Sequence, residues 1–487
     1  MQPLRYEQKC FLLPLLILAY VLMSQVALSI GKFQNESIRL AVVLPLDIPG
    51  GACGKLCTMS VLAITQAIEV INNKTDGFFD SLLPNTLLEY EFYDTMGDQK
   101  KGAVLGGTIL ADAFGGKGAD IIVGAGFSSI SVILSTILNS FDLPMVSPLS
   151  TSTSLSSYKN FMRVIPADDV VTLGMVRFAK YVVGWNFACI ISGTDEFSMN
   201  GGNNLEEASR KEGIEILQRE YFLSGATDMN IATDRMVLTG SKLFFYFGYS
   251  DKIPVFLRSL YYSLVAYDSL DSGFSVIFPE IYLSPKESYK SYFQKRNELH
   301  VYERMFSGTF AASVYGNGSF MPKFLKMYNE KLSEFDFCYD KIINASQCSN
   351  CGDGIVNPLT NKSLFSSSIK NGRKTCLAAN SDDRVDYSTP FGFDAVLFVA
   401  SVYHELRYPS NSSNLSPSKS FSSIALDPSF HAAGATGDIR LSANGDRAPD
   451  GIGMNIWNNV VSNDTKETLA HVGFFDVGSK ILRTCDQ

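Results

Sequence analysis

The apolar residues of this chain fall into two alternating rhythms. Ile38 to Leu44 is a β-branched and apolar run ended by Pro45. Beyond a loop containing glycine and cysteine, Val61, Ile64, Ile68 and Ile71 recur at the spacing of one helix face. Leu87 to Tyr93 predicts the next strand and Lys100 to Phe114 the next helix. Ile121 to Val123 is short and wholly apolar, as a buried parallel strand requires. After Gly124 and Gly126, a helical stripe runs through Ile130, Ile133, Leu134, Ile137, Leu138 and Phe141, and Met145 to Val146 predicts another strand. A second series follows. Its helices are predicted over Thr172 to Tyr181, Asn203 to Glu212 and Lys252 to Ser263, and its strands over Phe187 to Ile191, Leu243 to Phe247 and Phe274 to Phe278. This rhythm predicts an α/β protein built on doubly wound, mainly parallel sheets flanked by helices.

In such sheets ligands sit beyond the carboxyl ends of the strands, where a helix N-terminus attracts anions. Ser128 and Ser129 begin the helix after the Ile121 strand, and Ser147, Ser150 and Thr151 follow the next strand on the same sheet edge. Together these hydroxyls suit a small anion or zwitterion. The plainer alternative is that Ser128 caps its helix and Ser150 to Ser157 are loop polars.

With 487 residues, 46% hydrophobic and 18% charged, the chain can bury more than one core. Its net charge of −8 supplies no basic stripe, which argues against nucleic acid as a partner. Arg5 and Lys9 precede an apolar run from Phe11 to Leu28 with small residues at Ala27 and Ser29, the pattern of a secretory signal over residues 1–29; a signal anchor is the alternative. Removing it leaves Cys53, Cys57, Cys189, Cys338, Cys348, Cys351, Cys376 and Cys485, an even set that suggests disulfides without fixing their pairing. Cys338, Cys348, Cys351 and Cys376 also admit a zinc-site or redox reading, and Cys189 a free buried thiol. Asn35, Asn73, Asn317, Asn344, Asn361, Asn411, Asn414 and Asn463 begin glycosylation sequons, in keeping with an exported surface.

Several stretches resemble the extracellular ligand-binding region of class C G-protein-coupled receptors, the metabotropic glutamate and GABA-B type. They include Gly124-Ala-Gly-Phe-Ser-Ser-Ile-Ser, Phe141-Asp-Leu-Pro-Met-Val-Ser and Ser150-Thr-Ser-Thr-Ser-Leu-Ser. Phe161-Met-Arg-Val-Ile-Pro-Ala-Asp is similar to that family's first crossover, and Phe430-His-Ala-Ala-Gly-Ala-Thr-Gly-Asp-Ile-Arg-Leu-Ser-Ala-Asn-Gly-Asp-Arg to its late hairpin. The resemblance implies a two-lobed Venus flytrap of the type I periplasmic-binding-protein fold. Lobe 1 would span 37–165 and 306–447, with a cysteine-rich insertion at 338–384, and lobe 2 would span 166–305 and 448–478, before a tail at 479–487.

It also implies a site. Ser128 and Thr151 match the hydroxyls that hold an amino acid's carboxylate and ammonium, with Ser150 beside Thr151. Asp168 and Glu280 match two lobe-2 acids of the ammonium site, and Phe197 matches an aromatic, often tyrosine, that closes over the ligand. The basic residues with which glutamate-binding relatives hold a distal carboxylate fall near Ser60 and Ser388, so a distal anion would lack its counter-charge. The bland readings are that Asp168 caps the helix near Thr172, that Glu280 is solvated and that Phe197 is core.

No constellation supports catalysis. His300, His404, His431 and His471 are dispersed, and no dinucleotide fingerprint, phosphate loop or HExxH is present. The expectation is a non-enzymatic sensor with no cofactor or metal, binding a small amino-acid-like ligand, dimerising through lobe 1 and lying at the cell surface through a domain absent from this sequence. The rival readings are a secreted or anchored solute-binding protein and an orphan dimerisation subunit.

Overall fold

The computed structural model describes residues 37–45, 55–279, 286–307, 309–316, 318–330, 388–409, 420–449, 453–461 and 467–484. The predicted signal, the cysteine-rich insertion with its four cysteines, Glu280, and every sequon asparagine except Asn73 lie outside them.

The first unit runs β1 (Ile38–Leu44), α1 (Lys55–Asn72), β2 (Leu88–Asp94), α2 (Gln99–Gly116), β3 (Ile121–Gly124), α3 (Ser128–Leu138), β4 (Met145–Ser147) and β5 (Phe161–Arg163). Its strands form a five-stranded sheet in the order β2-β1-β3-β4-β5, with every pairing parallel. The second unit continues with α4 (Asp168–Arg177), β6 (Phe187–Gly193), α5 (Glu196–Glu212), β7 (Glu215–Phe222), α6 (Asn230–Leu238), β8 (Leu243–Phe247), α7 (Ile253–Ala266) and β9 (Ser275–Pro279). After α8 (Lys286–Gln294) and α9 (Leu299–Phe306), β10 (Thr309–Tyr315) follows.

Its sheet runs β7-β6-β8-β9-β10, the parallel order of the first sheet repeated, and is extended by antiparallel β13 (Gly453–Val461), β14 (Glu467–Asp476) and β15 (Ile481–Thr484). Between β10 and β13 lie helix α10 at residues 321–330, α11 (Thr389–Arg407), the one-turn α12 (Phe421–Ala425) and a small hairpin, β11 (Ala432–Gly434) with β12 (Gly437–Ile439).

These bounds follow the apolar rhythm. β1 and β8 coincide with their predicted runs, and the strand interiors are buried on both faces, as parallel sheets covered by helices demand. One expected boundary moves. The return to the first unit, expected at Phe306, comes later, because Thr309 to Tyr315 pairs with β9 and β13 and so belongs to the second sheet.

The late turn is then tied to α11 and to the crossover. Arg447 is buried against Asp394 of α11, with Nη1 and Oδ2 3.9 Å apart, and it donates to the carbonyl of Val164 at 2.8 Å, in the segment that crosses between the sheets. Asp394 accepts from the backbone N–H of Ala435 and Thr436 and from the Thr436 hydroxyl. Burial pushes the Asp394 carboxyl up and the Arg447 guanidinium down, while their mutual attraction opposes both shifts. Because removing one partner strands the other charge without water, Asp394→Ala is expected to cost about 3–5 kcal/mol in chemical denaturation. A loss below about 1 kcal/mol would show that the pair is not what holds the turn to the crossover.

Candidate functional site

The strand order 2-1-3-4-5 has its topological switch point between β1 and β3, and there the crevice opens at the carboxyl ends. Two glycines shape its floor. A Cβ on Gly124, whose φ is +145°, would stand 2.2 Å from the Val43 carbonyl oxygen, and one on Gly126 would stand 2.5 Å from Cδ of Pro45. Only glycine lets the turn after β3 lie this close to the end of β1.

The Ala125 peptide between them is held by serines. Its N–H donates to the Ser131 hydroxyl (3.2 Å), and its carbonyl accepts from the hydroxyls of Ser147 (2.9 Å) and Ser150 (3.0 Å). Ser131 and Ser150 also meet at 2.7 Å, and since Ser150 already donates to Ala125, Ser131 is the donor between them. Ser150 is therefore a brace beneath the crevice, its proton committed to the backbone.

Ser128 is the first residue of α3, and Phe127, not Ser128, occupies the capping position. The Ser128 hydroxyl instead accepts from the Ser152 N–H across the crevice (3.2 Å). This joins the N-terminal turn of α3, whose first N–H groups have no acceptor within the helix, to the loop carrying Thr151. Thr151 is joined in turn to α4: its carbonyl accepts from the Asp168 N–H (2.9 Å), and its hydroxyl meets the Asp168 carboxylate. Ser128, Thr151 and Asp168, chosen from three separate segments of sequence, thus come together.

Asp168 is the chemically distinctive member. It opens α4, with Ala167 at the capping position, so it is not the cap of that helix. Its side chain is buried, and Oδ2 has no hydrogen-bond partner among the described residues. Burial pushes its carboxyl up to about 7, with the neighbouring Asp169 adding to the rise and the Thr151 hydroxyl and Arg163 opposing it. A buried carboxylate with a free acceptor is suited to a cation that arrives with its own protons.

Phe197 lies in the first turn of α5. Its ring packs on Phe247 (5.1 Å between centroids) and on Tyr249 (5.2 Å), so it is both core and rim. Ser60 on α1 and Ser388 just before α11 are both buried, and the two helices pack closely: a Cβ on Gly392 would lie 3.2 Å from the Ser60 carbonyl oxygen. Glu280 lies outside the described residues.

Two positions of consequence were not singled out by the sequence reading. Arg163, the last residue of β5, is fully buried; it donates to the carbonyls of Ser150 (3.2 Å) and Ser152 (2.8 Å), to the Ser156 hydroxyl (2.7 Å) and to Asp446 (2.7 Å). Its signal was a lone cation closing an apolar strand. Tyr249 follows β8, beside the matching switch point of the second sheet between β6 and β8, and applying the switch-point rule to both sheets would have found it.

The proton on Asp168 has a measurable consequence. A carboxyl whose folded pKa is raised favours the native state most below its unfolded value near 3.8, and that contribution is lost as pH rises through about 7. Asp168→Asn should therefore match wild type in thermal melts near pH 4 and exceed it by about 2–4 kcal/mol near pH 8. An equal offset at both pH values would contradict the assigned burial.

Comparison with known proteins agrees with this architecture. A leucine binding protein of Thermotoga maritima superposes with a TM-score of 0.58 at 15% identity, covering 89% of this chain and 97% of its own, which establishes the type I periplasmic-binding-protein fold. Among curated proteins, a probable metabotropic glutamate receptor of Caenorhabditis elegans is 33% identical over 107 residues (21% of this chain, 11% of the receptor). Metabotropic glutamate receptor 4 of Mus musculus is 25% identical over 239 residues (41% of this chain). The match spans about a quarter of that receptor's length, 26%. The family description "Receptor family ligand binding region" matches residues 60–458, the greater part of the sequence, and the chain belongs to that family.

Proposed function

We propose that this chain is the extracellular sensing region of a class C G-protein-coupled-type receptor, and that it clamps a small neutral α-amino acid between its two units. The observation that carries the reading is Asp168, buried with a free carboxylate oxygen beside Thr151 and next to the N-terminal turn of α3. In this reading the ligand carboxylate lies at the first turn of α3 with Ser128, and its ammonium lies between Thr151 and Asp168. Glu280 is proposed as the second acid of the ammonium site, and Phe197 as the aromatic face over the ligand. Ser60 and Ser388 offer no positive charge for a distal carboxylate, which favours neutral side chains over glutamate.

Closure is hinge motion between the two units, driven by contacts that only the closed form makes. Dimerisation is proposed through the first unit, where Val104 on α2 and Phe141 just after α3 are 68% and 62% exposed. A cell-surface site accords with Asn73, exposed at the end of α1, whose side-chain oxygen accepts from the Thr75 hydroxyl at 2.9 Å. No helix among the described residues is long and apolar enough to cross a membrane, so signalling would need a membrane domain beyond the region described.

Calorimetry of the secreted protein against a panel of α-amino acids tests this reading. A charge-assisted contact contributes roughly 1.5–3 kcal/mol, so Asp168→Ala should weaken binding about ten- to a hundredfold. Ser128→Ala should weaken it about three- to tenfold, and glutamate should bind less tightly than neutral amino acids. Affinity unchanged in both Ser128→Ala and Asp168→Ala would overturn the site.

Peptide mapping should find glycan at Asn73 that is lost in Thr75→Ala. A bare Asn73 in material from a eukaryotic secretory host would count against the exported state.

A further inference from the structure

The two switch points face each other, and aromatic side chains meet there. Phe127, which takes the capping position of α3 without capping it, places its ring edge-on to Tyr249 of the second unit, with centroids 5.7 Å apart and planes at 84°. Tyr249 leans on Phe197, with centroids 5.2 Å apart and planes at 30°, and Phe197 is anchored on Phe247 of β8, itself fully buried. The outcome is a continuous row of rings from the N-terminus of α3 into the core of the second unit. A polar contact on the same helix accompanies it: two turns along α5 from Phe197, the amide of Asn204 meets the Thr153 hydroxyl of the first unit at 3.3 Å.

We propose that Phe127 and Tyr249 form an aromatic latch that positions the two units in the closed state, so that the affinity of the cleft is set partly by a contact in which the ligand takes no part. This rests on the two-unit clamp described above but not on the identity of its ligand. An edge-to-face pair is favourable because the positive ring edge meets the negative ring face, and such a pair is made or broken as a unit. The row also gives the latch a rigid backing: Tyr249 cannot swing away from Phe127 without losing its face on Phe197. The Phe127 position directly precedes Ser128, so latch and carboxylate site move together on one turn of α3.

The test is small-angle scattering of the full secreted chain without added amino acid, alongside hydrogen exchange at the N-terminal turn of α5 and at residues 153–157. Phe127→Ser and Tyr249→Ala should each increase the radius of gyration and speed exchange at both segments. The closed-to-open ratio should fall about two- to tenfold, the range expected of one aromatic pair. Tyr249→Phe keeps the ring and should behave as wild type, which separates loss of the contact from a folding defect; near-UV circular dichroism and melting temperature check that each variant is folded. If folded Phe127→Ser and Tyr249→Ala match wild type in both measurements, the latch is wrong. If they open the clamp but no amino acid binds wild type, the latch stands and the ligand reading fails. If amino acids bind but the variants do not open, the reverse holds.

Discussion

A single buried guanidinium organises the first unit around its loop. Arg163 ends an edge strand, and its side chain has no access to water, so each of its donors must find an acceptor inside the protein. It finds them in the carbonyls of Ser150 and Ser152, the Ser156 hydroxyl and the Asp446 carboxylate, which ties the loop before β5 and a turn remote in sequence to one point. Asp446 comes from the Asn-Gly-Asp turn, and the Gly445 carbonyl accepts from the Arg163 N–H, so the turn is bound at both side chain and backbone. The loop carrying Thr151 is seated by Leu149 and Leu155, both buried, and by its serine contacts, and this cation gathers its carbonyls.

The rest of the cleft follows from the same economy of buried polar groups. The serines beneath it saturate the Ala125 peptide, Arg163 saturates the loop carbonyls, and Arg447 with Asp394 saturates the hairpin and the crossover. Several buried polar atoms of the described residues lack a hydrogen-bond partner, and among them the Asp168 oxygen is the one on a carboxylate that meets Thr151. Burying a carboxylate without a full set of partners raises the free energy of its charged form, and a bound ammonium returns that free energy as affinity. In the proposed reading, stability and binding are thus opposed at one residue.

Much of this was legible in the sequence because parallel sheets covered on both faces write themselves as short apolar runs. Ile38 to Leu44, Ile121 to Gly124 and Leu243 to Phe247 are wholly buried or nearly so, and were recognisable as strands for that reason. The strand Glu215 to Phe222 was not predicted. It lies at the edge of its sheet, where charged Glu215, Arg219 and Glu220 interrupt the apolar pattern. The return between units was misplaced because Thr309 to Tyr315 carries no mark of which sheet it will join; pairing is decided by distant strands. At the site, the resemblance named Ser128, Thr151 and Asp168, which the structure brings together, but could not show that the Ser150 hydroxyl is spent on Ala125, nor that Arg163 holds the loop, since both depend on contacts between separate elements.

The central claim is that Asp168 receives the ammonium of an amino acid, and proton linkage tests it most directly. Titrating the secreted protein near pH 6.5 with the α-amino acid that binds it most tightly, in two buffers of different ionisation enthalpy, counts the protons exchanged on binding. An ammonium beside Asp168 draws its carboxyl down from about 7, so a substantial fraction of one proton should be released, and Asp168→Asn should abolish the release. Binding without proton release, or the same release from Asp168→Asn, would contradict the account.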